Sequence, residues 1–250
     1  MQSLLDVLPP SPFDASALSA SRRTALRATI DQTITQLRRV ERDLDPIRYP
    51  EHVLDPSDPQ VIGRLIAEIL LVQPRHQLTA VPRFWGSGVY ALYYKGGFAT
   101  YRPATDTETP LYVGKANLQT HGAISPVEQG DKLWSRLNDH KRSILKAENL
   151  DINDLECRYL VVKSAWQGTA QTYLIRWFAP VWNDEVGVCH GIGKHGDAAA
   201  TRSNTRSPWD TLHPGRAWAW AEGNKPNPLS AAQIAERISA HYTAHPPKER

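Results

Sequence analysis

The chain has 250 residues, with 29 Lys and Arg against 26 Asp and Glu and 41% hydrophobic residues. That length suits one elaborated domain or two small ones, and a net charge of +3 does not by itself call for an anionic partner. No apolar run reaches the ~18 residues of a membrane span, the start MQSLLDVLPP lacks a secretory pattern, and two cysteines suit a reducing cytosol; secreted, fibrous, disordered and membrane classes are excluded.

After a Pro-rich start, Leu26, Ile30, Thr33, Leu37, Val40 and Leu44 advance by steps of four and three, which places them on one stripe of a helix. Arg22, Arg23, Arg27, Arg38, Arg39 and Arg42 decorate the rest of it. The plain reading is a surface helix docked on the core; a dimer seam or an arm along a DNA backbone are the alternatives. Asp45-Pro46 and Tyr49-Pro50 end it, because a residue before proline is pushed out of the α region. A second helix is expected to open at Ser57 or Asp58 as cap with Pro59 at its first position. Its apolar residues Val61, Ile62, Leu65, Ile66, Ile69 and Leu70 should face inward, and Pro74 stops it.

Residues 88–94 (GVYALYY) read as a strand, rich in β-branched and aromatic residues, and Leu111-Tyr112-Val113 as a second. The long polar excursion between them implies an extended hairpin, whose Tyr101 and Arg102 either pack on the domain or touch a ligand. Residues 131–147 are helical, with Leu133, Leu137 and Ile144 on one face; 155–162 form a third strand and 169–179 another helix, stopped by Pro180. From 183 to 220 periodicity vanishes in a stretch rich in Gly, His, Arg, Ser and Trp, too long for a mere connector. Residues 230–242 close the chain as a short amphipathic helix. The expected fold is α+β: a small antiparallel three-stranded sheet flanked by helices. It carries an N-terminal helical extension (1–80), a core (81–185) and a loop region with a C-terminal helix (186–250), in one integrated unit.

Two constellations attract chemistry. Cys189-His190 with His195 falls short of the four ligands of structural zinc, and Gly191-Ile192-Gly193 lacks the strand–turn–helix setting of a dinucleotide loop. The sharper one is built on tyrosine. Tyr90 follows Gly88-Val89, and Tyr112-Val113-Gly114-Lys115 leaves the neighbouring strand, so side chains on paired strands can converge on one face. Arg136 and His140 sit four apart on the next helix and share a face. Phenol or imidazole can position and deprotonate water while cations neutralise charge on phosphoryl oxygens, so phosphodiester hydrolysis is within reach. Taken singly, each tyrosine is more often a packing residue, His140 shares the stripe of Leu133, Leu137 and Ile144, and Arg136 fits a solvated helix face.

Together, GVY…YVGK…Arg136-x-x-x-His140…Asn183 resembles the GIY-YIG nuclease family, in particular its type II restriction endonuclease branch. YVGKA, the Arg136/His140 pair and the block GIGKHGDAAATRSNTRSPWDTLHPGRAWA carry the resemblance, which covers about residues 81–220. It implies that Tyr90 serves the general base on the attacking water, helped by His140, and that Tyr112 contacts the phosphate. Arg136 and Lys115 would stabilise phosphoryl charge. It also implies a single divalent cation, typically Mg²⁺, held by a glutamate on the helix before a Pro-x-x-Asn turn, here Pro180 to Asn183. Gln171 stands at that glutamate's position, and no acid lies in 166–179 to replace it. The expectation is that Gln171, native or introduced, deprives a hard cation of its charged ligand, so that this form binds DNA but cuts poorly or not at all.

Lys194, His195, Arg202, Arg206, His213 and Arg216, with few acids among them, are the candidate DNA contacts, since Arg pairs bidentately with guanine; the alternative is a solvated loop. The branch's known isoschizomer group cuts CCGCGG, so a G·C-rich palindrome read by a homodimer is implied. The competing readings are a structure-specific or repair nuclease of the same superfamily, a DNA-binding protein without catalysis, and an α+β protein with no nucleic-acid role.

Overall fold

The computed structural model describes residues 19–44, 47, 50, 52–118, 122–123, 125–163, 166–183 and 205–249. The chain divides into two compact units, residues 1–54 and 55–250. The first contains one long helix, α1 (Ala20–Leu44), in which no residue is buried. The apolar stripe expected from the sequence is therefore present and exposed.

In the second unit, α2 (Pro59–Leu71) starts as the sequence requires: Asp58 is its cap, accepting from the backbone N of Gln60, with proline in the first turn. Its buried residues are Gly63, Ile66, Ala67 and Leu70, whereas Leu65 and Ile69 are exposed. The inward face is thus rotated from the one that the most apolar positions suggest. α2 packs on α4 (Gln167–Phe178), so it belongs with the sheet unit rather than with α1.

The sheet has four strands, not three, in the order β1-β4-β2-β3, with every pairing antiparallel. The additional strand β1 (His76–Gln77) is two residues long and pairs with Cys157 and Glu156 of β4 (Leu155–Val161). So short a strand has no alternation from which to read it. β2 (Gly88–Tyr94) lies between β4 and β3 (Tyr112–Ala116) and is buried along its whole length.

Period-two alternation divides β2 between two cores. Val89, Ala91 and Tyr93 join Ile66 and Leu70 of α2 and Leu174 and Phe178 of α4. Tyr90, Leu92 and Tyr94 face the opposite side, with Leu133, Leu137 and Ile144 of α3 (Lys132–Ile144). Trp209 and Leu212 of α5 (Pro208–Leu212) and Ile234 and Ile238 of α6 (Ala231–Ala244) complete that second core. α6 opens with a reciprocal capping box between Ser230 and Gln233. The long excursion between β2 and β3 folds into a 3₁₀ turn (Ala99–Ala104) that packs Tyr101 into the domain and leaves Arg102 exposed. Tyr101 takes part in a hydrogen-bonded chain: its hydroxyl accepts from Trp182 Nε1 at 2.8 Å and lies 2.5 Å from His213 Nε2. Among the described residues, no helix is long and apolar enough to cross a membrane.

The first glycine of the paired tripeptides is set by packing against β4. A Cβ on Gly88 would lie 1.9 Å from the carbonyl oxygen of Leu160, inside the β2–β4 ladder. Gly88→Ala therefore has to separate the two central strands. It is expected to cost about 3 kcal/mol and to lower the melting temperature by on the order of 10 °C. Calorimetry on the single variant checks this; an unchanged melting temperature would contradict the close approach.

Candidate active site

β2 and β3 bring the two tyrosines together. Tyr90 pairs with Gly114 across the ladder and Leu92 with Tyr112, so Tyr90, Tyr112 and Gly114 share one face. The ring centroids of Tyr90 and Tyr112 are 6.1 Å apart. The space for Tyr90 is the side chain that Gly114 lacks: a Cβ there would sit 2.2 Å from the phenol oxygen and from Cζ. The second glycine thus admits a tyrosine ring.

α3 closes the same face. Leu133, Leu137, His140 and Ile144 are its buried residues, and the apolar three seat the helix so that the imidazole meets the phenols. His140 Nε2 lies 2.6 Å from the Tyr90 hydroxyl, and the His140 ring is 5.3 Å from each tyrosine ring. His140 Nδ1 is buried and has no hydrogen-bond partner among the described residues. Arg136, one turn earlier, keeps its side chain about half exposed, with Asp139 4.0 Å away. It lies close enough to both phenols for its charge to favour their ionised forms.

Burial dominates the electrostatics. Desolvation raises the pKa of Tyr90 well above the usual phenol value, with Tyr112 adding to the rise and Arg136 opposing it. Desolvation also raises Tyr112, against the pull of Arg136 and of its contact with Tyr90. His140 is pushed down to about 3, first by desolvation and then by the positive charges of Arg136 and Arg216. At neutral pH the pair is therefore a neutral phenol against a neutral imidazole. A neutral imidazole can accept a hydrogen bond from the phenol, and the nearby guanidinium favours negative charge on the phenol oxygen.

The remaining candidates flank the edge strand β3. Asn183 supplies what a further strand would: its Oδ1 accepts from the backbone N of Val113 at 2.7 Å, and its Nδ2 donates to the Val113 carbonyl at 2.9 Å. Gln171, on α4, donates from Nε2 to the same carbonyl at 3.4 Å. Lys115 alternates with Gly114 and lies on the α4 side of the sheet, opposite the phenols. There it lines a shallow recess of about 450 Å³ with Gln60, Thr169, Thr172 and Arg176. Lys115 and Gln171 thus come to β3 from the side of α4, whereas the phenol group lies on the opposite face.

The residues around Gln171 do not fit a divalent cation. Its amide is neutral, a hard cation wants carboxylate oxygen, and no group of three His, Cys, Asp or Glu among the described residues could hold a metal ion. Asp184 and Glu185, which follow Asn183, lie outside the described residues, as do Lys194, His195, Arg202 and the Cys189-His190 cluster.

Of the other expected DNA contacts, Arg206 is partly buried, with its guanidinium 3.4 Å from the Trp220 ring centroid and its Nε donating to the Ala219 carbonyl. His213 and Arg216 are buried, unlike a solvent-facing contact surface. His213 Nδ1 is 2.8 Å from Asn149 Oδ1, and Arg216 Nε donates to Asp210 at 2.6 Å. Asp210 in turn accepts from the Ser207 hydroxyl at 2.6 Å. Sequence reasoning missed this Ser207–Asp210–Arg216 chain. The local signal was Ser207-Pro208 with an acid three residues on, the pattern of a capped first turn. Arg216 reaches the site all the same, because its charge adds to burial and to Arg136 in lowering the pKa of His140.

Residues 82–242 match the Eco29kI GIY-YIG domain family, a stretch that contains every described element from β2 to the body of α6. No curated protein matches the chain.

His140 and His213 also set an acid limit. Both pKa values are depressed to about 3 in the folded chain, chiefly by burial, against 6.5 for an exposed histidine. Between those values the unfolded chain binds more protons, so stability rises with pH and their contribution is complete only above about pH 6.5. Each adds a slope of up to ~1.4 kcal/mol per pH unit as the pH falls towards 3. Urea unfolding followed from pH 7 to 4 should show this loss, and His140→Gln should reduce the proton uptake on unfolding by about one. An unchanged slope would mean that His140 titrates normally.

Proposed function

The chain belongs to the Eco29kI GIY-YIG domain family, and from that premise we propose that it is a restriction endonuclease-like DNA nuclease whose cation-binding half is impaired. The observation that carries the reading is the 2.6 Å contact between the Tyr90 hydroxyl and His140 Nε2, beside Tyr112 and Arg136. The Tyr90 hydroxyl, hydrogen-bonded to the neutral His140, serves as the base on the attacking water, passing its own proton to the imidazole as it takes one from the water. Tyr112 contacts the scissile phosphate, and Arg136 neutralises charge growing on its oxygens. Lys115 supplies further positive charge from the opposite side of β3. In-line attack by that water would leave 5′-phosphate and 3′-hydroxyl ends.

The family's Mg²⁺ would be held at position 171, and Gln171 lacks the charge to hold it. No catalytic step is therefore assigned to a cation here, and the proposed behaviour is sequence-selective binding with slow or absent cleavage. The substrate proposed is duplex DNA carrying a short G·C-rich palindrome, with CCGCGG the first candidate, read by a homodimer. Lys194, His195 and Arg202 are the proposed base or phosphate contacts, with Arg206 at the margin. The burial of His213 and Arg216 favours a supporting part for both.

Digestion of a fully sequenced plasmid by the Gln171→Glu chain with Mg²⁺ tests this. Discrete fragments with mappable common ends are expected, whereas the unsubstituted chain should retard duplex DNA without cutting it. Its affinity should fall steeply with salt as phosphate contacts are lost. Nicks confined to branched DNA would favour a structure-specific nuclease. Specific binding by a folded Gln171→Glu chain that still does not cut would favour a DNA-binding protein without catalysis.

A further inference from the structure

α1 lies outside the family match and in its own compact unit, yet it carries a regular apolar pattern. Leu26, Ile30, Thr33, Leu37, Val40 and Leu44 follow the alternating four–three spacing of a coiled-coil seam, with Ile30, Leu37 and Leu44 at one core position and Leu26, Thr33 and Val40 at the other. None is buried: exposure runs from 37% at Leu26 to 79% at Leu44, and Ile34 beside the seam is 42% exposed. No residue of this 25-residue helix is buried. Packing of an apolar face is what ordinarily sustains helices in proteins. The stripe therefore calls for a partner.

The charges beside the stripe indicate which one. In a parallel pair, Arg23 would meet its own copy in the core, and Arg22 would face Arg27 of the other helix, so like charges stack at one end. An antiparallel pair with its two-fold axis near residue 35 removes both conflicts. Leu26 then packs against Leu44, Ile30 against Val40 and Thr33 against Leu37, each twice by symmetry. Arg27 faces Glu41 of the other copy at both ends, and Ile34 meets its own copy close to the axis. Arg23 falls outside the overlap.

We propose that α1 is a self-association surface whose occupant is α1 of a second copy of this chain, paired antiparallel in that register. A perpendicular two-fold is also the symmetry that a palindromic duplex presents. The pairing is independent of DNA, so its failure would leave the nuclease reading intact.

Sedimentation equilibrium of the full chain without DNA tests the surface. The chain should be dimeric at tens of micromolar and dissociate on dilution. Ile30→Asp with Leu37→Asp should be monomeric, a loss of association of at least about 100-fold, with the melting of residues 55–250 unchanged. A dimer that survives this double substitution lies elsewhere, and a parent chain that stays monomeric has no such surface; either result overturns the proposal.

Charge reversal tests the register. Arg27→Glu or Glu41→Arg alone should weaken the dimer about tenfold, while the two together should restore it to within about threefold. No restoration would overturn the pairing.

Cysteine cross-linking tests the direction. Leu26→Cys chain mixed with Leu44→Cys chain should give an oxidised dimer, measured against the parent chain under the same conditions. Neither variant should do so alone, because two copies of position 26 would lie about 27 Å apart. Cross-linking of Leu26→Cys with itself would establish a parallel pair and overturn the antiparallel one.

Discussion

The site depends on a tyrosine occupying the place of an absent side chain. Tyr90 is buried at the middle of the sheet, and its ring crosses the neighbouring strand where Gly114 leaves room. That approach brings Tyr112 within reach from β3, and it turns the Tyr90 hydroxyl towards α3, where His140 waits at 2.6 Å. Both groups are removed from water, so both are neutral, and the half-exposed guanidinium of Arg136 favours the neutral imidazole and the ionised phenol alike. Burial costs the phenol its ease of ionisation, and the guanidinium of Arg136 offsets part of that cost.

Support for this arrangement comes from distant segments. Asn183 closes the open edge of β3 with an amide that mimics strand pairing. Arg216, paired with Asp210 far along the chain, adds the second positive charge that keeps His140 unprotonated. The Tyr101–His213–Trp182 cluster anchors the long β2–β3 excursion against the segment that carries Asn183. The base-providing side of the site is thus assembled from β2, β3 and α3, whereas the cation side rests on Gln171, whose amide turns to a backbone carbonyl.

Much of the framework was legible because local chemistry determined it. Asp58-Pro59 marks the start of α2, the aromatic and β-branched run 88–94 coincides with β2, and Ser230 with Gln233 opens α6. The spacing of Arg136 and His140, together with the two glycine–tyrosine tripeptides, carried the site. What was not legible came from tertiary pairing or from brevity. β1 has two residues and no pattern, and α5 has five. His213 and Arg216 look like free cationic residues in a polar loop until Asn149, Tyr101 and Asp210 bury them. Lys115 follows the YVG tripeptide in sequence, but the pleat sends it to the other face.

The most direct measurement is single-turnover cleavage of a palindromic duplex by the Gln171→Glu chain, alone and combined with Tyr90→Phe, His140→Ala or both. If phenol and imidazole act as one base, either substitution should slow cleavage by about 10²–10⁴-fold, and the two together should slow it no further than the more damaging one alone. Cleavage that proceeds at full rate without the Tyr90 hydroxyl, or losses that multiply as for independent groups, would contradict the account.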